Sequence, residues 1–559
     1  MYSKKKIVQS LGEIMRAKSI YHVVISPGSR NAPIIIHFTQ NVSFKTYSIV
    51  DERCAGFFAL GIAQKIKRPV VLSSTSGSAT VNYYPAVTEA FYQNIPLIFI
   101  TADRPKEIID VGEGQTIHQE KIFQNHVEIS IQLTEDESNL GLWYNNRLIN
   151  ESINRCIEKK KPIHINIPFS EPLYETTNYL NVQPKIIHTI KNHLEKPKYY
   201  KKEKFIWNKS KKKMILLGLY KEDKKLENIL KKISTDPTVV IFTETTSHIS
   251  GKLFFSCIDQ LIFNMSDTEW NSLKPNILLT IGENIISKKI KFLLRKNPPL
   301  YHWHIGDSFE KYPDTYYRLT TYWKIKPEIF FQKFYNKKNL YLSNYRYKWE
   351  NVRKKRRKKN NFFLRKEKSF SDLKVLFSIF KSIPNNSILQ LGNSTIIRYY
   401  QLFDQKKYSI QSYCNRGTSG IEGSVSTAIG YSVNSQKRVT LIIGDISFYY
   451  DSNALWNNYI PNHFRIILIN NGGGNIFRFL LENKIPKNIL NFFETKHFFT
   501  AKKICEMHNW NYNIVSNHFS LKRSLNFFWN KTKKPSLLEI NTKKSNNSKI
   551  FKKYLSYIS

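Results

Sequence analysis

The chain has 559 residues, with 86 lysines and arginines against 43 aspartates and glutamates, a formal net charge of +43. That length exceeds one hydrophobic core and suits about three domains of ordinary size, and a content of 41% hydrophobic and 14% aromatic residues excludes an extensively disordered chain. No apolar run approaches the ~18 residues of a membrane span, and no secretory signal follows the basic start.

The five scattered cysteines, Cys54, Cys156, Cys257, Cys414 and Cys505, fit a reducing cytoplasm better than a disulfide framework or a zinc site. The charge invites a nucleic-acid reading. Lys, Asn, Ile, Phe and Tyr are abundant throughout, however, as AT-rich coding would give, and no nucleic-acid-binding motif accompanies the lysines. No membrane or nucleic-acid partner is expected.

The first region opens with helical periodicity over 7–17 and a short apolar run at 21–25. The run ends in Ser26-Pro27-Gly28-Ser29-Arg30-Asn31-Ala32-Pro33, a turn feeding a helix in whose first turn Pro33 fits. Ser29 and Arg30 can hold an anion there, and a plain N-cap explains the same serines. A strand over 47–50 then delivers Asp51-Glu52-Arg53 to the same edge, with a helix from Cys54 to about Lys65. Charged residues after a strand are commonly solvated. This helix is so apolar that its start should be deeply packed, which marks the Glu52 carboxyl as a candidate for proton exchange.

Further along, 69–72 leads into Ser73 to Thr80, small hydroxyl and glycine residues opening a helix. The run 97–101 leads into Ala102-Asp103-Arg104-Pro105 and then Gly112-Glu113-Gly114-Gln115. Alternation through Ile163, Ile165 and Ile167 predicts a last strand. Strands alternating with helices at this spacing indicate a parallel, doubly wound sheet.

From 178 to 213 the chain is lysine-rich and reads as a linker plus a surface helix. A second α/β region follows, with apolar runs at 214–217, 239–242, 276–281 and 301–305. His302 and His304 have metal spacing on a strand, but only two ligands are visible, so they read as strand-end residues without a metal. Ser287-Lys288-Lys289 offers an anion contact. The run Arg353 to Lys359 reads as a solvated inter-domain helix, with an RNA-binding patch as the alternative.

The third region begins with the strand 387–391 and Gly392-Asn393-Ser394. It adds the loop Asn415-Arg416-Gly417-Thr418-Ser419-Gly420-Ile421-Glu422-Gly423 before a small-residue helix. Two apolar runs at 439–443 and 464–469 then flank a helix-length segment. They end in Gly444-Asp445-Ile446-Ser447 and Asn470-Asn471-Gly472-Gly473-Gly474-Asn475-Ile476-Phe477. In a parallel sheet the carboxyl ends of strands face the ligand crevice, so Asp445 and Asn471 should sit side by side. A carboxylate, an amide oxygen and a glycine carbonyl are hard ligands suited to Mg²⁺ held with a phosphate. A strand over 536–541 precedes a polar tail. The first and third regions share a rhythm of strand, polar turn and helix.

Together these turns resemble the thiamin-diphosphate-dependent enzymes, and more closely the synthase family of menaquinone biosynthesis that makes 2-succinyl-5-enolpyruvyl-6-hydroxy-3-cyclohexene-1-carboxylate. The matching pieces include Ser26-Pro-Gly-Ser-Arg30, Asp51-Glu-Arg53, Thr75-Ser-Gly-Ser-Ala79, Thr101-Ala-Asp-Arg-Pro105, Gly392-Asn-Ser394, Asn415-Arg-Gly-Thr-Ser-Gly420, Gly444-Asp445 and Asn471-Gly-Gly473. The resemblance is weakest over 178–375. It implies a thiamin-diphosphate-binding fold of three doubly wound α/β domains with parallel sheets: a pyrimidine-binding domain over 1–180, a middle domain over 181–360 and a diphosphate-binding domain over 361–559. It also implies a homodimer or dimer of dimers with active sites between subunits.

By the same resemblance, Asp445, Asn471 and the Gly473 carbonyl hold Mg²⁺, with Mn²⁺ as an alternative, against the diphosphate. Gly444, Ile446, Ser447, Asn393, Ser394, Gly417, Ser419, Gly420, Glu422 and Gln115 line the cofactor, and Ile476, Phe477 and Leu480 give it an apolar surround. Glu52 hydrogen-bonds the aminopyrimidine and drives its imino tautomer. The implied reaction decarboxylates 2-oxoglutarate and adds the succinyl unit to isochorismate. Ser29, Arg30, Arg104, Lys288 and Lys289 would face isochorismate, and Ser394, Arg398 and Arg416 the succinyl carboxylate, where an arginine fork matches a carboxylate. Lys289 stands where the family leads one to expect arginine, Ile446 replaces the glycine common in the wider superfamily, and Glu113 lies in a variable loop. Another 2-oxo-acid decarboxylase or carboligase of the same superfamily is the alternative among enzymes. A basic nucleic-acid-binding protein is the alternative outside them.

Overall fold

A computed structural model describes residues 1–189, 201–306, 311–335, 342–403, 410–481 and 484–559. Part of the expected linker over 178–213 lies outside the described residues. Its described end forms the helix Lys201–Lys209, whose Trp207 is buried.

Among the described residues three wholly parallel sheets carry the chain, beside a two-stranded antiparallel pairing of Tyr2–Ser3 with Thr176–Thr177. The first orders its strands Lys45–Ser48, His22–Ile25, Val70–Ser74, Leu97–Asp103, Ile163–Pro168 and Ser130–Gln132. The third orders Gln411–Tyr413, Ile388–Leu391, Val439–Gly444, Arg465–Asn470, Ser536–Asn541 and Asn511–Val515. Numbered along the chain, both sheets run 2-1-3-4-6-5, so the shared rhythm of the sequence is a shared topology. Between them lies a five-stranded sheet ordered Val239–Thr243, Lys213–Leu217, Ile277–Ile281, Tyr301–Ile305 and Leu319–Trp323. The central strands are buried along their whole length, which is why they read as apolar runs without alternation.

The first and third sheets are coupled by two helices, Glu52–Ile66 and Ser424–Val433, that share one hydrophobic cluster. Their backbones meet at glycines. A Cβ on Gly61 would stand 2.1 Å from the Thr427 carbonyl oxygen, and one on Gly430 would stand 2.0 Å from that of Phe58. A second tie joins the helix Tyr84–Gln93 to the 415–423 loop. The buried Glu89 carboxylate accepts the Gly417 N–H at 2.8 Å and the Thr418 N–H at 2.6 Å.

Several expectations shift. The strand expected over 47–50 is Lys45–Ser48, because its ladder is set by His22–Ile25, and the following helix already starts at Glu52. The tail after the last strand is a helix, Asn547–Ile558, that buries Tyr554, Leu555 and Ile558. The basic run lies in the helix Tyr345–Lys366 and is only partly solvated. Arg356 is buried and donates to the carbonyls of Phe263, at 3.1 Å, and Ile558, while Arg353 reaches those of Lys252 and Phe254. Arg356 thereby ties the middle region to the carboxyl-terminal helix. His302 and His304 are buried and share the Thr280 hydroxyl, each 2.9 Å from a ring nitrogen. Among the described residues no group of histidines, cysteines and carboxylates is arranged to hold a metal.

The glycine crossing gives a direct expectation. Gly61→Ala forces its methyl group into a backbone oxygen and should cost about 3 kcal/mol through overpacking, read as a lower urea midpoint. An unchanged midpoint would show that the two helices can separate freely.

Candidate functional site

In a doubly wound sheet the ligand crevice opens at the point where strand order reverses. In the third sheet that point lies between Ile388–Leu391 and Val439–Gly444. The first strand runs out into Gly392-Asn393-Ser394 and the second into Asp445. The next strand, Arg465–Asn470, brings Asn471 alongside.

Asp445 is 3% exposed at the start of the helix Asp445–Tyr450. Its Oδ2 accepts the N–H groups of Gly472 and Gly473 at 2.8 and 3.0 Å, and its Oδ1 accepts that of Ile446 at 2.8 Å. Asp445 and Asn471 are therefore neighbours, as the strand-end reading expects. Gly472 and Gly473 have φ of +80° and +143°, and a Cβ on Gly473 would lie 2.5 Å from the Glu494 carbonyl, so the turn excludes side chains. Glu494 in turn holds Arg478 by a two-pronged ion pair with its closer contacts at 2.5 and 2.7 Å, which anchors the helix Asn475–Leu481.

Asn471 is oriented by a residue that sequence reasoning missed. Its amide nitrogen donates to Asp372 Oδ2 at 2.8 Å, while Asp372 Oδ1 takes the Thr542 hydroxyl at 2.6 Å. Burial pushes Asp372 up to about 6, with the Asp445 charge adding to the effect. Asn471 Oδ1 is left buried and without a hydrogen-bond partner. A buried open acceptor beside a carboxylate is the arrangement a hard cation satisfies, so the residues present fit a divalent metal. His497 was also missed. Its Nε2 stands 3.1 Å from Asp445 Oδ2 and its Nδ1 accepts the Phe499 N–H. Neither Asp372 nor His497 belongs to a motif, and only packing brings them to the turn.

The glycine-rich loop closes the same crevice. Asn393 donates to the carbonyls of Asn415 and Gly420, each at 2.7 Å, and accepts from Arg416 at 3.1 Å. The Ser447 hydroxyl donates to the Ile421 carbonyl, which joins the loop to the metal turn. Ser394 and Ser419 take positive φ, of +67° and +66°. Glu422 lies close enough to Gly420 that a Cβ there would strike its carboxylate. Ile476 and Phe477 are half-buried, with Phe477 packed on Phe493, and Leu480 is 44% exposed.

The cations form two groups. Arg30 is buried, donating to the Phe169 carbonyl at 2.7 Å and pairing with Glu171 at 3.3 Å. Burial and the nearby Arg104 lower its pKa. Arg104 reaches the Gly114 carbonyl at 3.2 Å and Glu113 at 3.6 Å, so the variable loop supplies it a counter-charge. Both arginines keep a buried Nε without a partner. Ser29 and Gln115 are exposed nearby in sequence, and Gln115 has a φ of +57°. The second group is Arg398 and Arg416, each of which carries the other's charge in its surroundings, so that burial and Arg416 lower Arg398. Lys288 is exposed at the start of the helix Lys288–Lys296, and Lys289 lies over the rings of Phe263 and Phe292 at 5.6 and 5.7 Å.

Glu52 stands apart from both groups. It is half-buried at the start of its helix, and its Oε2 accepts from Asn82 at 3.2 Å. Its neighbours Asp51 and Arg53 do reach the third region, at Asn453 and the Tyr450 carbonyl. Among the described residues no hydrogen bond links Glu52 itself to the metal turn or the glycine-rich loop.

The chain is similar to known proteins over nearly its whole length. Residues 5–128 match the family model for the thiamine pyrophosphate enzyme, N-terminal TPP binding domain. The chain is 46% identical over 557 residues to the 2-succinyl-5-enolpyruvyl-6-hydroxy-3-cyclohexene-1-carboxylate synthase of Flavobacterium johnsoniae, covering 99% of each chain. It is 44% identical to the protein of the same name from Christiangramia forsetii, covering 100% of this chain and 99% of the relative. Against the one from Porphyromonas gingivalis identity is 36%, with 100% and 98% covered.

Asp372 orients Asn471 without itself being a proposed metal ligand. Asp372→Ala should therefore raise the Mg²⁺ concentration for half-saturation by about 10-fold, the usual effect of losing an outer-shell partner. Calorimetric titration checks it, and an unchanged Mg²⁺ affinity would remove Asp372 from the site.

Proposed function

The chain belongs to the 2-succinyl-5-enolpyruvyl-6-hydroxy-3-cyclohexene-1-carboxylate synthases, and from that membership we propose how its own residues divide the work. The protein decarboxylates 2-oxoglutarate and joins the succinyl unit to isochorismate, yielding the named product and CO₂ in menaquinone biosynthesis. It uses thiamin diphosphate with a divalent metal, Mg²⁺ or Mn²⁺. When bound, the cofactor supplies a carbon nucleophile for the 2-oxo group and an electron sink for the charge left by departing CO₂.

The observation that carries the assignment of residues is the third-sheet switch point, where Asp445 and an Asn471 with an open buried oxygen converge. In this reading Asp445, Asn471 and the Gly473 carbonyl hold the metal. Gly444, Ile446, Ser447, Asn393, Ser394 and the loop residues Gly417, Ser419, Gly420 and Glu422 surround the diphosphate. Ile476, Phe477 and Leu480 keep water from the reacting carbon. Glu52 spends Oε2 on Asn82, which leaves Oε1 free to hold a proton toward the cofactor ring. Arg398, Arg416 and Ser394 hold the distal carboxylate of 2-oxoglutarate. Ser29, Arg30, Arg104, Lys288 and Lys289 attract isochorismate, and Gln115 closes over the joined product. The domain limits proposed are 1–180, 181–360 and 361–559.

We further propose a homodimer or dimer of dimers with sites shared between subunits, because Glu52 has no bond to the metal turn of its own chain. No described helix is long and apolar enough to cross a membrane. The five free, buried cysteines support the cytoplasm as its compartment.

Purified protein with thiamin diphosphate, Mg²⁺, 2-oxoglutarate and isochorismate should yield the synthase product, identified by mass. Decarboxylation of pyruvate with none of 2-oxoglutarate would point instead to another carboligase. Glu52→Gln should lower turnover by about 10³-fold, as expected for a lost proton carrier, while cofactor affinity by calorimetry stays near that of the parent. A fully active Glu52→Gln enzyme would overturn the proton role.

A further inference from the structure

The middle sheet sends one segment into the proposed substrate pocket. Asn284 donates to the carbonyls of Arg416 and Gly417 at 3.0 and 3.4 Å. Ile286 lies in the same hydrophobic cluster as Ile396 and Ile397, on the helix Thr395–Tyr400 that carries Arg398. The N–H groups of Ile286 and Ser287 are clamped by the two oxygens of buried Glu244 at 2.6 and 2.8 Å, and Ser287 caps the helix Lys288–Lys296. With its entry fixed at three points, that helix has a defined rotation. Lys291 falls one turn beyond Ser287 on the same face.

Lys291 is half-buried, and neither it nor Arg398 makes a hydrogen bond or ion pair among the described residues. Burial lowers the pKa of Lys291, the Glu244 carboxylate raises it, and the charges of Arg416, Arg295 and Arg398 lower it again. Arg416 spends one nitrogen on Asn393 and keeps a buried Nε without a partner. The nearby carboxylates also hold other groups, Glu244 two backbone N–H groups and Asp259 the Ser287 hydroxyl. Lys291, Arg398 and Arg416 are partly desolvated cations that repel one another, with Glu244 and Asp259 acting in the opposite sense. An anionic ligand relieves that repulsion.

We propose that Lys291 is a third cationic contact for the distal carboxylate of the 2-oxo acid, beside Arg398 and Arg416, and so helps to select a dianionic substrate. The proposal rests on the reading that these two arginines hold that carboxylate. Because the distal carboxylate is remote from the bond that breaks, the contact binds ground and transition states alike. Its loss then appears in KM, with kcat little changed.

The test uses the full-length enzyme with saturating thiamin diphosphate, Mg²⁺ and isochorismate. Lys291→Met should raise KM for 2-oxoglutarate and the Kd of the unreactive dianion glutarate by at least about 10-fold, the size of a lost hydrogen bond to a charged group. Lys291→Arg should recover most of the loss, and KM for the monoanionic 2-oxobutyrate should stay put. If Arg398→Met weakens glutarate binding while Lys291→Met and Lys291→Gln do not, the role given to Lys291 is wrong and the pocket stands. If Arg398→Met also leaves glutarate binding unchanged, the pocket itself is misread. A KM change confined to isochorismate, read in a second titration at saturating 2-oxoglutarate, overturns the proposal as well.

Discussion

The structure depends on one close approach, the crossing of the helices Glu52–Ile66 and Ser424–Val433. At Gly61 and Gly430 each helix lies against the other's backbone, at distances that leave no room for a methyl group. Both helices begin at proposed functional sites. Glu52 opens the first, and the glycine-rich loop ending at Gly423 opens the second. A backbone-to-backbone contact cannot be retuned by repacking side chains, so its geometry passes undiminished to both helix starts. The Glu89 clamp on Gly417 and Thr418 fixes the same loop from a second direction.

Around that frame charge is divided by sign. The turn proposed to hold the metal is acidic and crowded, with Asp372 raised by burial and by Asp445. The pocket proposed for the substrate carboxylate is cationic, with Arg398 lowered by burial and by Arg416. Each region alone is electrostatically unfavourable, and each is relieved by a ligand of opposite sign. Beside the cationic pocket one amide, that of Asn393, supports the loop through its nitrogen and steadies Arg416 through its oxygen, and the Ser447 hydroxyl links the loop to the metal turn.

What the sequence made legible follows from how parallel sheets work. Chemistry gathers at strand ends, strand ends can be read as apolar runs stopping at polar residues, and Asp445 and Asn471, 26 positions apart, were placed side by side that way. Asp372 was not legible, since it looks like any helix start and acts on Asn471 only through tertiary packing. The same holds for Glu89, an acid on an apolar helix until the third sheet is docked against it, and for Lys291, one lysine among many. The strand expected at 47–50 moved because register is decided by the partner strand. The basic run misled for a related reason. Arg353 and Arg356 turn toward backbone carbonyls of other regions, and no periodicity in the helix shows where those carbonyls will be.

The same frame bears on why one chain is proposed not to complete a site. The helix Asp445–Tyr450 has Asp445 at one end, while at the other the Tyr450 carbonyl takes Arg53 at 2.9 Å. Asp51 beside it is held by Asn453 at 2.9 Å. Within the chain the start of the Glu52 helix is thus pinned to the far end of the metal-turn helix, a span of about 9 Å at 1.5 Å per residue. Those contacts belong to Asp51 and Arg53, the neighbours of Glu52, and Glu52 itself bonds within its own region. The first and third sheets share one topology and meet through paired helices, a near-symmetric arrangement that a second copy can extend by presenting its own third sheet to Glu52. Symmetric closure would then supply from a partner what the glycine crossing withholds within the chain.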